Sequence, residues 1–194
     1  MKSKYYTFHI GLGAMAIIFF LGLMSCAPDK EMLKKKEEPI RDLGLAYYQK
    51  DNFKAALKEL HKAEKIYADD HILQDYLGLT YLKLKNIDEA IKRFKRSIEL
   101  KPSYAPAYNN LGVAYMQIKE WDRAIETFMK ITSNIVYASP QYPLTNIGIA
   151  YLKKNEYQLA INYFNQALTY EPNHVSALQG LGETYLVINN VPAA

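Results

Sequence analysis

The chain has 194 residues, with 24 Lys and Arg against 20 Asp and Glu, a formal net charge of +4. That mild balance excludes the strong one-sided basic excess of a nucleic-acid footprint. A single cysteine, Cys26, excludes an intramolecular disulfide and a cysteine-based metal cluster.

The chain opens with Lys2 and Lys4, the only charged residues before Cys26. Without them, 22 basic and 20 acidic residues remain, a formal +2. An uncharged stretch from Tyr5 to Ser25 follows, most apolar over the 14 residues Ile10–Leu23. A helix needs roughly 20 apolar residues to span a bilayer, so this run has the length of a signal-peptide core instead. It ends Leu23-Met24-Ser25-Cys26, which resembles a bacterial lipobox, although Met24 departs from the usual small or branched residue. The resemblance implies a cleaved lipoprotein signal peptide over residues 1–25. It also implies diacylglycerol joined by a thioether to the Cys26 sulfur, whose thiolate is the nucleophile. The competing reading is an uncleaved signal anchor with an incidental cysteine. Ala27, by resemblance to enterobacterial sorting rules, implies the outer membrane, with the protein facing the periplasm. Residues 26–38 are charged and short of large apolar side chains, and read as a solvated tether; the run Lys34–Lys36 could also lie against anionic headgroups.

The remainder, 39–194, repeats. Five of the six glycines after Cys26 fall in one slot: Gly44, Gly78, Gly112, Gly148 and Gly182, spaced 34, 34, 36 and 34 residues apart. Each follows Leu or Ile (Leu43, Leu77, Leu111, Ile147, Leu181), and a tyrosine stands three residues on (Tyr47, Tyr81, Tyr115, Tyr151, Tyr185). Alanine comes twelve residues after each glycine, and a large apolar residue four later in the complete copies: Leu60, Phe94, Phe128 and Phe164. Pro102 and Pro172 close two copies. This pattern resembles the tetratricopeptide repeat, and the resemblance implies an all-α solenoid of helical hairpins, a right-handed superhelix. The copies are about 37–70, 71–104, 105–140, 141–174 and a partial 175–194. Small residues let helices A and B of a hairpin cross closely, short turns such as Asp51-Asn52 and Asn155-Glu156 join them, and stacked neighbours bury what one hairpin cannot. Gly180 alone among these glycines has no packing role on this reading. The third junction, from Thr132 to Pro140, lacks its proline and carries two extra residues. Helix B of the fifth copy would begin at Pro192-Ala193-Ala194; either helix A of that copy caps the array or the repeat continues, and the apolar segment Ala177–Ile188 favours continuation.

The resemblance places the ligand on helix A. One row, a residue after each glycine, reads Leu45, Leu79, Val113 and Ile149; a second, four after it, reads Tyr48, Leu82, Met116 and Leu152. A spacing of three keeps both on one helical face, although the second row would also serve as packing between hairpins. Repeats that clamp a C-terminal carboxylate place Asn in the first row; the aliphatic row here suits a protein partner laid in the groove as an apolar helix or extended segment. His61, His71 and His174 are unpaired at helical spacing, and neither a nucleophile elbow nor a phosphate loop occurs. Hence the expectation is a scaffold, not an enzyme, with no metal, cofactor, nucleic acid or small-molecule substrate. A lipobox, repeats, and the junction Tyr137-Ala138-Ser139-Pro140 leading to Asn146-Ile147-Gly148 resemble the type IV pilus pilotin lipoproteins. That resemblance implies help for the pilus secretin in outer-membrane insertion and multimerisation. The alternatives are an adaptor for peptidoglycan enzymes and a module of another envelope complex.

Overall fold

The computed structural model describes residues 29–133 and 138–190. The expected signal peptide, Cys26 and Tyr137 lie outside them. Nine helices and no strand occur among the described residues: α1 (Lys30–Gln49), α2 (Phe53–Ile66), α3 (His71–Lys83), α4 (Ile87–Leu100), α5 (Ala105–Gln117), α6 (Trp121–Thr132), α7 (Gln141–Lys153), α8 (Tyr157–Tyr170) and α9 (Val175–Asn190). Odd-numbered helices are A and even-numbered ones B. The architecture is an all-α helical-hairpin solenoid.

Local chemistry sets the boundaries. Asn52 and Asn86 cap α2 and α4 by accepting from Ala55 N–H at 3.2 Å and Glu89 N–H at 3.3 Å. Each complete hairpin turns through one residue of left-handed backbone: Asp51 (φ 55°), Lys85 (64°), Lys119 (61°) and Asn155 (61°). The next amide returns to the slot tyrosine: Asn52 to Tyr47 O, Asn86 to Tyr81 O and Glu120 to Tyr115 O at 3.0 Å, and Glu156 to Tyr151 O at 2.9 Å. The left-handed residue itself donates to the carbonyl of Tyr48, Leu82, Met116 or Leu152. Together these bonds form a Schellman closure, which satisfies the last carbonyls of helix A.

The glycine slot supplies the crossing. A methyl group placed on Gly44 would lie 2.8 Å from Leu60; on Gly78, Gly112 or Gly148 it would lie 2.5, 2.5 or 2.7 Å from Phe94, Phe128 or Phe164. Carbon atoms settle at about 3.5–4.0 Å, so only a bare backbone lets those large side chains seat. All four are fully buried.

Two expectations change. Charged residues from Lys30 onward, read as tether, form the first half of α1, continuous with the first helix A. Asp29 caps it, Lys35 pairs with Glu31 at 2.8 Å, and its first lysines stay exposed, so charge and helix coexist. The glycine roles also exchange. Gly180 packs against Phe164, 2.5 Å from a methyl placed on it, whereas Gly182 meets nothing within 4 Å. The slot needs a helix B across it, and none of the described residues crosses α9 there.

Candidate functional site: the wall of A helices

Successive A helices pack closely on one another, whereas successive B helices stand further apart, bridged by long side chains such as the Arg93–Glu64 ion pair between α4 and α2. The A layer is therefore the compressed inner layer of the stack, and its lateral face is the candidate binding wall.

Leu45, Tyr48, Leu79, Leu82, Val113, Met116 and Ile149 are half-buried; Leu152 is buried, 5% exposed. Leu79, Leu82, Val113 and Met116 rest on the core built around Phe94, Leu111 and Phe128. Ile149 rests on the core around Leu144 and Phe164, and Leu152 lies within it. Tyr48 meets Phe53 edge to face, ring centroids 5.5 Å apart. The surface cavities lie elsewhere: one of about 320 Å³ between α4, α5 and α6, and one of about 360 Å³ beside Met129, Leu144 and Tyr163. Seven of the eight expected groove residues are thus partly accessible on the A-helix face, whereas Leu152, expected in the groove, belongs to the core instead because it leans into its own hairpin.

A polar row one turn earlier escaped the sequence reading: Arg41, Asp75, Asn109 and Thr145, each four residues before the aliphatic row. Arg41 Nη1 donates to Asp70 Oδ2 at 2.6 Å and lies 3.6 Å from Glu37, which is fully buried with neither carboxylate oxygen hydrogen-bonded. The other Asp70 oxygen caps α3 by accepting from Ile72 N–H at 2.7 Å. Burial pushes the Glu37 carboxyl up to about 7, with Arg41 opposing and Asp70 reinforcing the rise. Asp75 is buried and accepts from Asn110 Nδ2 at 3.0 and 3.2 Å; burial raises it to about 6 against the downward pull of that amide. Tyr104 is pushed up to about 12, first by burial and then by Asp75. The Asn109 side-chain oxygen is buried without a hydrogen-bond partner, and the Thr145 hydroxyl donates to Gln141 O at 2.7 Å. The available signal was a slot that is polar in every complete copy while the slot four residues on is aliphatic. Arg41, Asp75 and Thr145 are buried, so this row lies beneath the surface of the A layer, and only Asn109 is partly exposed. Among the described residues no three His, Cys, Asp or Glu side chains are grouped to hold a metal, and no helix is long and apolar enough to cross a membrane.

Family models described as TPR repeat and tetratricopeptide repeat match residues 78–119, 105–134 and 142–174. The fold is thus an all-α tetratricopeptide-repeat solenoid. No curated protein sequence matches the chain. Among solved structures, PilF of Pseudomonas aeruginosa is similar at 18% identity and TM-score 0.75, over 81% of this chain and 71% of that one. PilW, described as a widely conserved type IV pilus biogenesis factor, is similar at 22% identity and TM-score 0.73, over 78% and 69%. A chain of the APC/C hetero-tetramer Cut9–Hcn1 is 24% identical at TM-score 0.70; 76% of this chain aligns, but it spans only 29% of that chain. At these identities the likeness is one of fold. Repeats of this kind bind protein partners.

Proposed function

We propose that this chain is a membrane-anchored protein-interaction scaffold that assists assembly and outer-membrane insertion of a type IV pilus secretin. The observation that carries the reading is the aliphatic row Leu45, Leu79, Val113 and Ile149, half-buried on the A-helix face where a carboxylate clamp would need Asn. Apolar burial contributes roughly 25 cal/mol per Å², and association offsets much of that gain, so several hairpins must contribute at once. The likeness to PilF and PilW supports a pilus partner. The anchor is lipid on Cys26. Since α1 begins at Lys30, at most about 14 Å of extended chain separates that residue from the helix, and the wall works close to the bilayer. The protein acts by binding, not by catalysis.

The test is Leu79→Asn with Val113→Asn, scored by capture of the secretin from envelope extracts. Each half-buried side chain is worth roughly 1 kcal/mol, and 1 kcal/mol shifts melting by about 2–4 °C in an array of this size. A loss of at most about 8 °C with capture abolished is expected. A folded double variant with full capture, or a wild-type complex that dissolves near 0.3 M salt (roughly a 6 Å screening length), overturns the apolar-wall mechanism. Capture of cell-wall hydrolases or synthases in place of secretin overturns the pilus assignment alone. For the anchor, Cys26→Ser should abolish incorporation of radiolabelled lipid and release the protein from membranes; unchanged labelling overturns it.

A further inference from the structure

The four B helices share one packing frame but differ sharply in the charge of their outer faces. On α2 every exposed position is a lysine: Lys54, Lys58, Lys62 and Lys65. At about 100° per residue the four fall within about 80° of one another, a stripe roughly 16 Å long. The equivalent positions of the other B helices are also exposed, and none repeats the pattern. α4 has Asp88, Lys92, Arg96 and Glu99 there, two of each sign, and Arg96 is held by Asp69 at 2.6 Å. α6 has Asp122, Glu126, Lys130 and Ser133; α8 has Gln158, Asn162, Gln166 and Thr169, with no charge at all.

Solvation alone is met equally well by any of these sets. The lysine set carries an added cost, because like charges at spacings of three and four repel on a helix. The chain supplies little to offset it. Glu59 holds Lys62 at 2.8 Å, while Glu64 is turned to Arg93 of α4; Lys54, Lys58 and Lys65 form no ion pair among the described residues. More cations lie next to the stripe. Lys30, Lys34, Lys35 and Lys36 at the start of α1 are exposed, with Lys35 paired to Glu31. Gly44 of α1 meets Leu60, and α2 ends only a few residues later at Ile66. The start of α1 therefore projects past the end of α2 that carries Lys65.

We propose that the outer face of the first hairpin docks on an anionic lipid bilayer, with the four α2 lysines in the headgroup layer and the lysines at the start of α1 beside them. This rests on the lipid anchor at Cys26: α1 begins four residues after that cysteine, so the lysine-lined hairpin is the one the anchor holds at the membrane. Lysine suits such a surface. Its compact charge on a flexible stem meets a plane of phosphates without the fixed geometry of a single site. A lipid chain joined by a basic patch also anchors far more stably than one chain alone. Docking through a B helix leaves the wall of A helices uncovered for its protein partner.

The probes are vesicles of phosphatidylcholine, with and without phosphatidylglycerol, mixed at low salt with the full chain. Accessible lysines are briefly acetylated and read one by one by mass spectrometry. On phosphatidylglycerol vesicles Lys54, Lys58, Lys62 and Lys65 should be protected severalfold, while Lys119, Lys130 and Lys153 label as in the free protein; phosphatidylcholine alone should protect neither set. Flotation then gives the ratio of the two vesicle affinities, in which any attachment through the start of the chain cancels. Replacing the four α2 lysines by Gln, an equally good helix former, should lower that ratio at least about tenfold, since each lysine near such a surface weighs about fivefold. Gln at Lys83, Lys119, Lys130 and Lys153 removes the same charge and should change it less than about twofold. Cys26→Ser should leave both readouts unaltered, so failure of the anchor and failure of the docking face are told apart. Equal labelling of the two lysine sets on phosphatidylglycerol vesicles, or equal loss in the two fourfold variants, overturns the proposal. So does protection of the α2 lysines by polyglutamate but not by phosphatidylglycerol vesicles, because the occupant would then be an acidic protein.

Discussion

Gly180 and Gly182 stand two residues apart in one helix, and the structure assigns the same substitution opposite signs at the two positions. In a helix interior, Gly→Ala gains about 1 kcal/mol by propensity. At Gly182 nothing lies within 4 Å of the added carbon, so the whole gain should appear, worth roughly 2–4 °C if the array melts cooperatively. At Gly180 the added carbon would stand 2.5 Å from Phe164 Cε1 and 3.0 Å from Cε2, about 1 Å inside normal contact. The ring cannot step aside. It is fully buried, and its other face already fills the Gly148 slot, 2.7 Å from where a methyl would sit. Overpacking of this kind costs about 1–3 kcal/mol, so the net effect at Gly180 runs from neutral to about 2 kcal/mol destabilising. The two variants should therefore differ by about 1–3 kcal/mol. Repeat arrays can open from one end, so the melting curves should be accompanied by hydrogen exchange of the α9 amides, which reads the affected helix directly. Protection in Gly180→Ala that equals protection in Gly182→Ala would refute the account of the joint on which the slot reasoning depends.

Two further outcomes follow from buried and strained groups. Glu37 has its carboxyl raised from the ordinary 4.5 to about 7, chiefly by burial, so the fold favours its neutral form; that contribution is complete below about 4.5 and lost as pH rises through about 7. Glu37→Gln should accordingly melt higher than the wild type at pH 8 and close to it at pH 5, and an identical gap at both values would show that the carboxyl is ionised throughout. Lys85 and Lys119 hold left-handed backbone that costs a residue with a Cβ about 1–2 kcal/mol. Replacing either by Gly should stabilise the chain by about 1 kcal/mol or less, because greater freedom in the unfolded chain offsets part of the relief; chemical denaturation in urea that shows a loss would exclude strain at those turns.

The repeat phase made the stack legible because its signals are residue-specific. Glycine, tyrosine and alanine recur at constant offsets, and the structure uses each one: bare backbone at the crossing, a carbonyl that closes the turn, and small volume on helix B. What stayed hidden depended on neighbours that the phase does not name. Gly182 occupies the slot, but among the described residues no helix crosses it, and Gly180, out of phase, is the glycine pressed on Phe164. Residues 30–38 looked like tether because helix formation by charged side chains leaves no apolar period, while the caps and pairs that support it, Asp29 and Glu31 with Lys35, are individually weak signals. The polar row Arg41, Asp75, Asn109 and Thr145 was missed because its members differ chemically. Only the structure shows that Arg41 reaches 29 residues along the chain to Asp70, and Asp75 reaches 35 to Asn110.

The wall's burial gradient has a geometric cause. At 3.6 residues per turn each residue advances about 100° around the helix axis. Taking the slot glycine as the direction of its own helix B, the residue four later points only about 40° away, the one three earlier about 60°, and the one just after it about 100°. The preceding helix B occupies the opposite side, as Gly180 does against Phe164 in α9. The row Tyr48, Leu82, Met116 and Leu152 therefore leans into the hairpin, and its member Leu152 is buried. The row Leu45, Leu79, Val113 and Ile149 faces away from both flanking helices, at the most lateral angle available. Its chemistry can vary without disturbing a glycine joint. On the proposed mechanism, ligand choice therefore rests on the lateral row, while Arg41, Asp75 and Thr145 of the polar row are buried.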